Sequence, residues 1–374
     1  MKNLALSLLF LFAHTAAAAT AVLNFEVQGR AYSVDKLTDG QGIIWGMEFL
    51  TPTKMIFTEL TGRIHVLDLE TGTTRELKNV PQVHVAVQGG LLDVAVHPDF
   101  KKNNWVYVTY AKRLNGQQTL AMARAKLDLS KEEFGPWTDL FVARPTFETS
   151  HHYGSRMSFD GNGHLFLTVG DRGNEKFVQS LETHNGKVIR LKDDGSVPAD
   201  NPFVRTPKAL KEIWSYGHRN PQGLFFDQTT GVLYEQEHGP MGGDEINVIV
   251  KGKNYGWPLV TFGREYSGEP WGRGETSRPG LEAPIKYWIP SIAPSGLLVY
   301  RSSKLPLFRD RFVSGALALQ HLNVVDIKDC LTACEDRLLM AIDERIRDVI
   351  AGPDGLVYVA SDKGRIYRIQ EGAR

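Results

Sequence analysis

The chain has 374 residues, 42% of them hydrophobic, enough to bury a large core. Its 43 Lys and Arg balance 43 Asp and Glu, so no global field draws it to nucleic acid or to an anionic membrane surface. An anionic ligand would have to be met by a local cluster of arginines.

Residues 1–19 read as a signal peptide. Lys2 gives a positive start, Leu4 to Phe12 is apolar but too short to span a bilayer, and Ala16 to Ala19 offers small-residue cleavage sites. An uncleaved anchor is the weaker alternative. The expectation is export to the periplasm, with no stable membrane insertion and one domain over residues 20–374.

Beyond that, runs rich in Val, Ile, Phe and Tyr alternate with Gly, Asp, Asn and Pro turns, which predicts an all-β chain. One theme recurs: an apolar strand, a turn, a second apolar strand. It begins at Trp45 ("WGMEFLTPTKMIFTEL"), Gly90 ("GLLDVAVHPDF"), Gly154 ("GSRMSFDGNGHLFLTVGD") and Pro221 ("PQGLFFDQTTGVLYEQEHG"). A degenerate copy starts at Ser295 and a last clear one at Ile346 ("IRDVIAGPDGLVYVASD"). Third strands of similar grammar follow at Gly62, Gly186 and Gly364. Six such hairpins predict a six-bladed β-propeller with four-stranded antiparallel blades, over a sandwich pair or a solenoid.

The unusual polar residues cluster just before the first strand of a copy. Gln88 precedes the second; His151, His152 and Arg156 open the third. His218, Arg219, Asn220 and Gln222 open the fourth, and Arg345 and Arg347 the sixth. In a propeller these positions converge on one end of the central channel. Several guanidinium groups there suit a polyanionic ligand, and the amides could bond its carbonyl oxygens. No glycine-rich phosphate loop argues for a nucleotide. His152 is the leading candidate base and Asp171 the acid that would orient it, with His151 as the competitor.

The segment Glu237 to Pro258 is rich in Gly and carries Asp244, Glu245 and Tyr255. Hard oxygen ligands on such a loop suit calcium, although an ordinary blade connection would read the same way. Cys330 and Cys334 are expected to form a local disulfide in an oxidising compartment.

The stretches "VQGGLLDVAVHPDF", "HHYGSRMSFDGNGHLFLTVGD", "EIWSYGHRNPQGLFFD", "EHGPMGGDEINVIVKGKNYGWP" and "RIRDVIAGPDGLVYV" together resemble the soluble pyrroloquinoline-quinone-dependent sugar dehydrogenases. The likeness is closest to the aldose sugar dehydrogenase branch of the glucose/sorbosone dehydrogenase family, and runs from about Leu37 to Ile369. It implies a six-bladed propeller that oxidises aldoses to lactones. His152 would take the anomeric hydroxyl proton, Asp171 would support it, and hydride would pass to the quinone. The quinone (PQQ) contacts implied are Gln88, Arg219, Asn220, Gln222, Tyr266, Arg345 and Arg347. A Ca2+ ion at the quinone would sit on the carbonyls of Gly239 and Pro240, and a second on Glu245 and Tyr255. The resemblance leaves open the sugar, the electron acceptor, and whether the protein is a monomer or homodimer. One departure stands out. The lysine expected in the fifth blade falls near Ala318, in "SGALALQHLNVV", with Gln320 or His321 as substitutes. That loss raises the alternative of a binding module with weakened quinone catalysis. A calcium-dependent lactonase, a further alternative, would need acidic channel ligands.

Overall fold

Alternating side chains of one strand are claimed by two different neighbours, and this builds the fold. In the strand His164–Val169, Leu165, Leu167 and Val169 enter one apolar layer while Phe166 enters the next. A strand buried on both faces reads as a continuous apolar run, which is how the repeats appear in the sequence. The computed structural model describes residues 20–326 and 335–372. The proposed signal segment and the cysteine pair Cys330 and Cys334 lie outside the described residues.

Six antiparallel sheets form a closed ring, a six-bladed β-propeller. The inner strands, in order, are Ile44–Thr51, Leu91–Val96, Gly154–Phe159, Pro221–Asp227, Pro294–Tyr300 and Ile346–Ala351. Each contacts the inner strand of the next blade, and the last contacts the first. Apolar layers fill the gaps between successive blades. The copy at Ser295 that looks degenerate in sequence forms a regular blade.

The last blade closes the ring. Its own segment supplies Ile346–Ala351, Val357–Ser361 and Ile366–Glu371. The fourth strand is Arg30–Thr38 from the other end of the chain, where Val34 pairs with Ile369 and Asp35 with Arg368. Thr20–Val27 adds a fifth strand at its edge. In the second blade two short strands, Glu133–Phe134 and Thr138–Val142, share the outer edge of Gln117–Asp128.

All six inner strands bulge against their second strand near their N-terminal ends. A bulge re-aims side chains, and here it turns selected ones into the channel. Arg156 sits in that neck between two buried carboxylates, 2.8 Å from Asp93 and 3.0 Å from Asp348. Arg156 therefore faces the channel interior and does not join the polar cluster at the strand starts. The neighbouring blades make room with glycine. A Cβ on Gly46 would lie 2.5 Å from Asp93 Oδ1, and one on Gly296 would lie 2.3 Å from Asp348 Oδ1.

Below the neck the channel widens into a cavity of about 830 Å³, walled by residues such as Val94, Phe159, Leu224, Leu297 and Ile350. Glu48 faces this space. Burial pushes its carboxyl up to about 7; the Phe49 N–H holds it down in part, and Asp348 and Asp93 add to the rise. Below about pH 4.5 the folded and unfolded chains both hold this proton. As pH rises toward 7 only the unfolded chain has released it, so stability is lost across that window. Glu48→Gln should therefore raise the melting temperature at pH 8 and change it little at pH 4.5. Thermal melts at the two pH values check this.

Candidate functional site

The opposite end of the channel, where the inner strands begin, gathers the candidate residues. His152 stands in the loop before Gly154, in a left-handed backbone conformation (φ 54°). Gln88 helps fix that turn: its Oε1 accepts the His152 N–H at 2.9 Å. The His152 ring is 17% exposed, enough to meet a substrate, and its Nδ1 lies 2.8 Å from Asp171 Oδ1. That contact leaves Nε2 as the atom free to take a proton. His151 packs edge-on against His152 at 4.8 Å, while burial pushes its own basicity down. The geometry separates the two histidines, since only His152 bonds the acid among the contacts found.

Asp171 is held on every side. Oδ1 also accepts the Gly173 N–H at 2.7 Å, and Oδ2 accepts the Trp257 indole N–H at 2.9 Å. Its backbone N–H donates to the Arg219 carbonyl at 2.7 Å. Burial alone would raise this carboxyl. The His152 hydrogen bond and charge, with Arg219 and the Gly173 N–H, outweigh it and hold the group below its ordinary range. Asp171 is thus a fixed anion that fixes the imidazole's tautomer and orientation.

The other strand-start residues ring the same mouth. Asn220 Oδ1 accepts the Gly154 N–H at 3.2 Å. Gln222 Oε1 accepts from Arg347 Nη1 at 3.2 Å. Arg345 and Arg347 share one carboxylate, Asp362, with contacts of 2.9 to 3.0 Å. Asp362 was not among the sequence candidates; its signal is an acid in the loop facing both arginines within one blade. Tyr266 is 73% exposed, on a turn tied to the mouth by pairing of Met241 with Arg264.

Arg219 lies over the Trp257 ring at 5.3 Å and donates to the Gly239 carbonyl at 2.6 Å and the His238 carbonyl at 3.2 Å. The Gly239 oxygen therefore already attracts a cation, the guanidinium. A metal ion on Gly239 and Pro240 would have to displace that contact, which would release Arg219 toward a ligand.

Next to it lies a pocket of acids. Glu235 and Glu237 alternate along Val232–Glu237, so both point the same way, toward Glu245 on the paired strand. Asn247 Nδ2 is 3.1 Å from Glu235, and 3.5 Å from oxygens of both Glu237 and Glu245. His218 Nδ1 is 3.2 Å from Glu237 and 3.7 Å from Glu235, and its ring stacks on Tyr255 at 4.7 Å. Burial, then the charge of Glu237, drives the Glu235 and Glu245 carboxyls well above their ordinary range. Glu235 Oε1 and Asn247 Oδ1 are buried without a hydrogen-bond partner. A cavity of about 20 Å³ beside Glu237, Gly239, Glu245 and Tyr255 has room for one water or ion. The hard oxygens of Glu237, Gly239 and Glu245 at the edge of this one-ion space, with the crowded acids behind them, fit a calcium ion. His218, Glu235 and Glu237 went unassigned as ligands in the sequence; the pair "ExE" in a buried strand was the available signal.

The expected lysine position, Ala318, carries no charge, and its N–H closes a loop onto the Ile292 carbonyl. His321 cannot stand in for it. Its ring is fully buried and contacts the Leu319 carbonyl and Asn323.

The arrangement therefore offers a base on a fixed anion, beside arginines and amides suited to a polyanion. Comparison with known proteins agrees. The family model for glucose/sorbosone dehydrogenase matches residues 42–368. The aldose sugar dehydrogenase YliI of Escherichia coli is 37% identical over 350 residues, covering 92% of each chain. The crystal structure of a soluble aldose sugar dehydrogenase from Escherichia coli in the apo-form superposes with a TM-score of 0.87 at 36% identity, over 91% of this chain and 100% of that one. Quinoprotein glucose dehydrogenase B of Acinetobacter calcoaceticus is 31% identical over 265 residues, covering 63% of this chain and 53% of that protein. By fold, by motif and by the extent of these matches, the chain belongs to the glucose/sorbosone dehydrogenase family.

Proposed function

We propose that this oxidoreductase converts aldose sugars to lactones, using pyrroloquinoline quinone bound at the channel mouth with calcium beside it. The observation that carries the reading is the His152–Asp171 pair at 2.8 Å, set in the same ring as Arg219, Asn220, Gln222 and Arg347. The names of the relatives, an aldose sugar dehydrogenase and a quinoprotein, support it.

His152 Nε2 would accept the proton of the anomeric hydroxyl while Asp171 stabilises the imidazolium that forms. Arg219, Arg345 and Arg347 would bind the cofactor's carboxylates, and Gln88, Asn220 and Gln222 its polar edge. Tyr266 would cover an exposed face. When bound, the quinone supplies the two-electron acceptor for hydride leaving the sugar carbon. A calcium ion on Gly239 and Pro240 would stabilise negative charge at the quinone oxygens. A second ion on Glu245 and Tyr255, joined by Glu237, would neutralise the acid pocket. The signal-like residues 1–19 favour export to the periplasm, where electrons would pass to an external acceptor.

The test is reconstitution. The mature chain, given quinone and calcium, should reduce a redox dye when an aldose is added and should melt at a higher temperature with quinone bound. Absence of both effects rules the reading out. The uncharged Ala318 favours a second reading, a propeller that binds the quinone without turnover; it would show the thermal shift alone.

The acid pocket gives its own prediction. Chelation should lower the melting temperature, because calcium at about 100 times its dissociation constant adds about 2.7 kcal/mol to the folded state. Glu245→Gln should shrink that chelator-dependent shift. Calorimetry with and without chelator on both proteins checks it.

A further inference from the structure

We propose that Trp257 is a positioning residue for the base: its indole N–H locks the second oxygen of Asp171 and so fixes the angle of His152. The inference rests on the reading of His152 as the proton acceptor.

A carboxylate held through one oxygen can still turn about its Cβ–Cγ bond. Turning would swing the imidazole that hangs on it. Asp171 Oδ1 carries both the His152 and the Gly173 contacts, at 2.8 and 2.7 Å. Oδ2 receives the Trp257 N–H at 2.9 Å, the one donor found for that oxygen among the described residues. A bond to a charged acceptor in a dry site is among the stronger hydrogen bonds.

The indole is itself immobilised. Trp257 is buried, its backbone N–H donates to the Gly217 carbonyl at 2.9 Å, and its carbonyl accepts from Gln179 at 2.7 Å. Trp271 packs on the ring at 4.5 Å, and is tied by its own indole to the Pro258 carbonyl at 3.0 Å. The Arg219 guanidinium also lies over the ring, at 5.3 Å. One side chain thus touches both the base's anion and an arginine of the cofactor cluster. It also lies two residues beyond Tyr255 of the acid pocket, so a short rigid segment joins that pocket to the dyad.

Trp257→Phe removes the N–H and keeps an aromatic ring. Replacement by β-(3-benzothienyl)alanine, which puts sulfur where the N–H was, keeps the indole shape and covers the case in which the Phe variant fails to fold. For each, kcat should fall about tenfold, the scale of one hydrogen bond to a charged group, while KM for the sugar and quinone affinity stay nearly constant. The acidic limb of the pH–kcat profile should also move to higher pH. Asp171 would lose a stabilising donor and hold the shared proton more tightly, so protonated His152, which cannot act as base, would persist further up. The other groups facing the dyad, His151, Arg172, Arg219 and His238, are unchanged in either variant.

The pH midpoint of the His152 ring resonances in quinone-free protein separates this inference from the reading beneath it. A midpoint that moves up in the variants supports the inference even if the wild type oxidises no sugar. An unmoved midpoint in the benzothienyl variant overturns it, whatever the wild type's activity.

Discussion

His152→Ala should lower turnover by about two to four orders of magnitude, the cost of losing a positioned base. Quinone affinity should stay nearly constant, because the arginines and amides that would hold the cofactor come from other blades. The backbone needs attention in this experiment. His152 occupies the left-handed region, which alanine tolerates poorly and asparagine more readily. His152→Asn is therefore the better-folded control, and it should lose turnover to the same extent. Steady-state rates and an equilibrium quinone titration on both variants give the split. Parallel loss of turnover and quinone binding would make the histidine structural.

The second large effect concerns stability. Arg156→Met should destabilise the fold by about 3–5 kcal/mol at pH 8, since it leaves Asp93 and Asp348 buried and facing each other without their cation. Burial already pushes Asp93 up to about 6, with Arg156 restraining the rise, and Asp348 is raised for the same reason. Both folded values exceed that of the unfolded chain, so this pair costs stability as pH rises through about 4 to 6. Without Arg156 the cost grows. The deficit should shrink toward about pH 3, below the unfolded aspartate range, and be full at pH 8. Urea unfolding at the two pH values reads it. An equal deficit at both would assign the loss to packing against Trp45, which Arg156 covers at 4.4 Å.

Much of this molecule was legible in the sequence, for local reasons. A blade's inner hairpin is contiguous, so its paired apolar runs and turn residues stand together, and the six hairpins could be read directly. His152 and Asp171 are near neighbours bracketing one such hairpin, which put the dyad within reach. What was missed depends on contacts across the chain. The strand Arg30–Thr38 completes the last blade from the far terminus, and no local pattern marks that pairing. Trp257 looked like one more residue of a glycine-rich loop; only folding brings its indole to Asp171. Arg156 was misplaced because a bulge, invisible in the apolar pattern, turns it down the channel. Its partners did leave a trace. Asp93 and Asp348 interrupt two inner strands, "LLDVAV" and "IRDVIA", at matching positions, and a buried acid in an apolar strand needs a partner.

The central claim is that the mouth oxidises an aldose with a bound quinone. Anaerobic mixing of the quinone- and calcium-loaded protein with an aldose, followed by the quinone's absorbance, tests it most directly. The account predicts loss of the oxidised quinone's absorbance within one turnover, slowed when the anomeric C–H carries deuterium and nearly abolished in His152→Ala. Quinone that binds stoichiometrically yet stays oxidised before a broad panel of aldoses would contradict it.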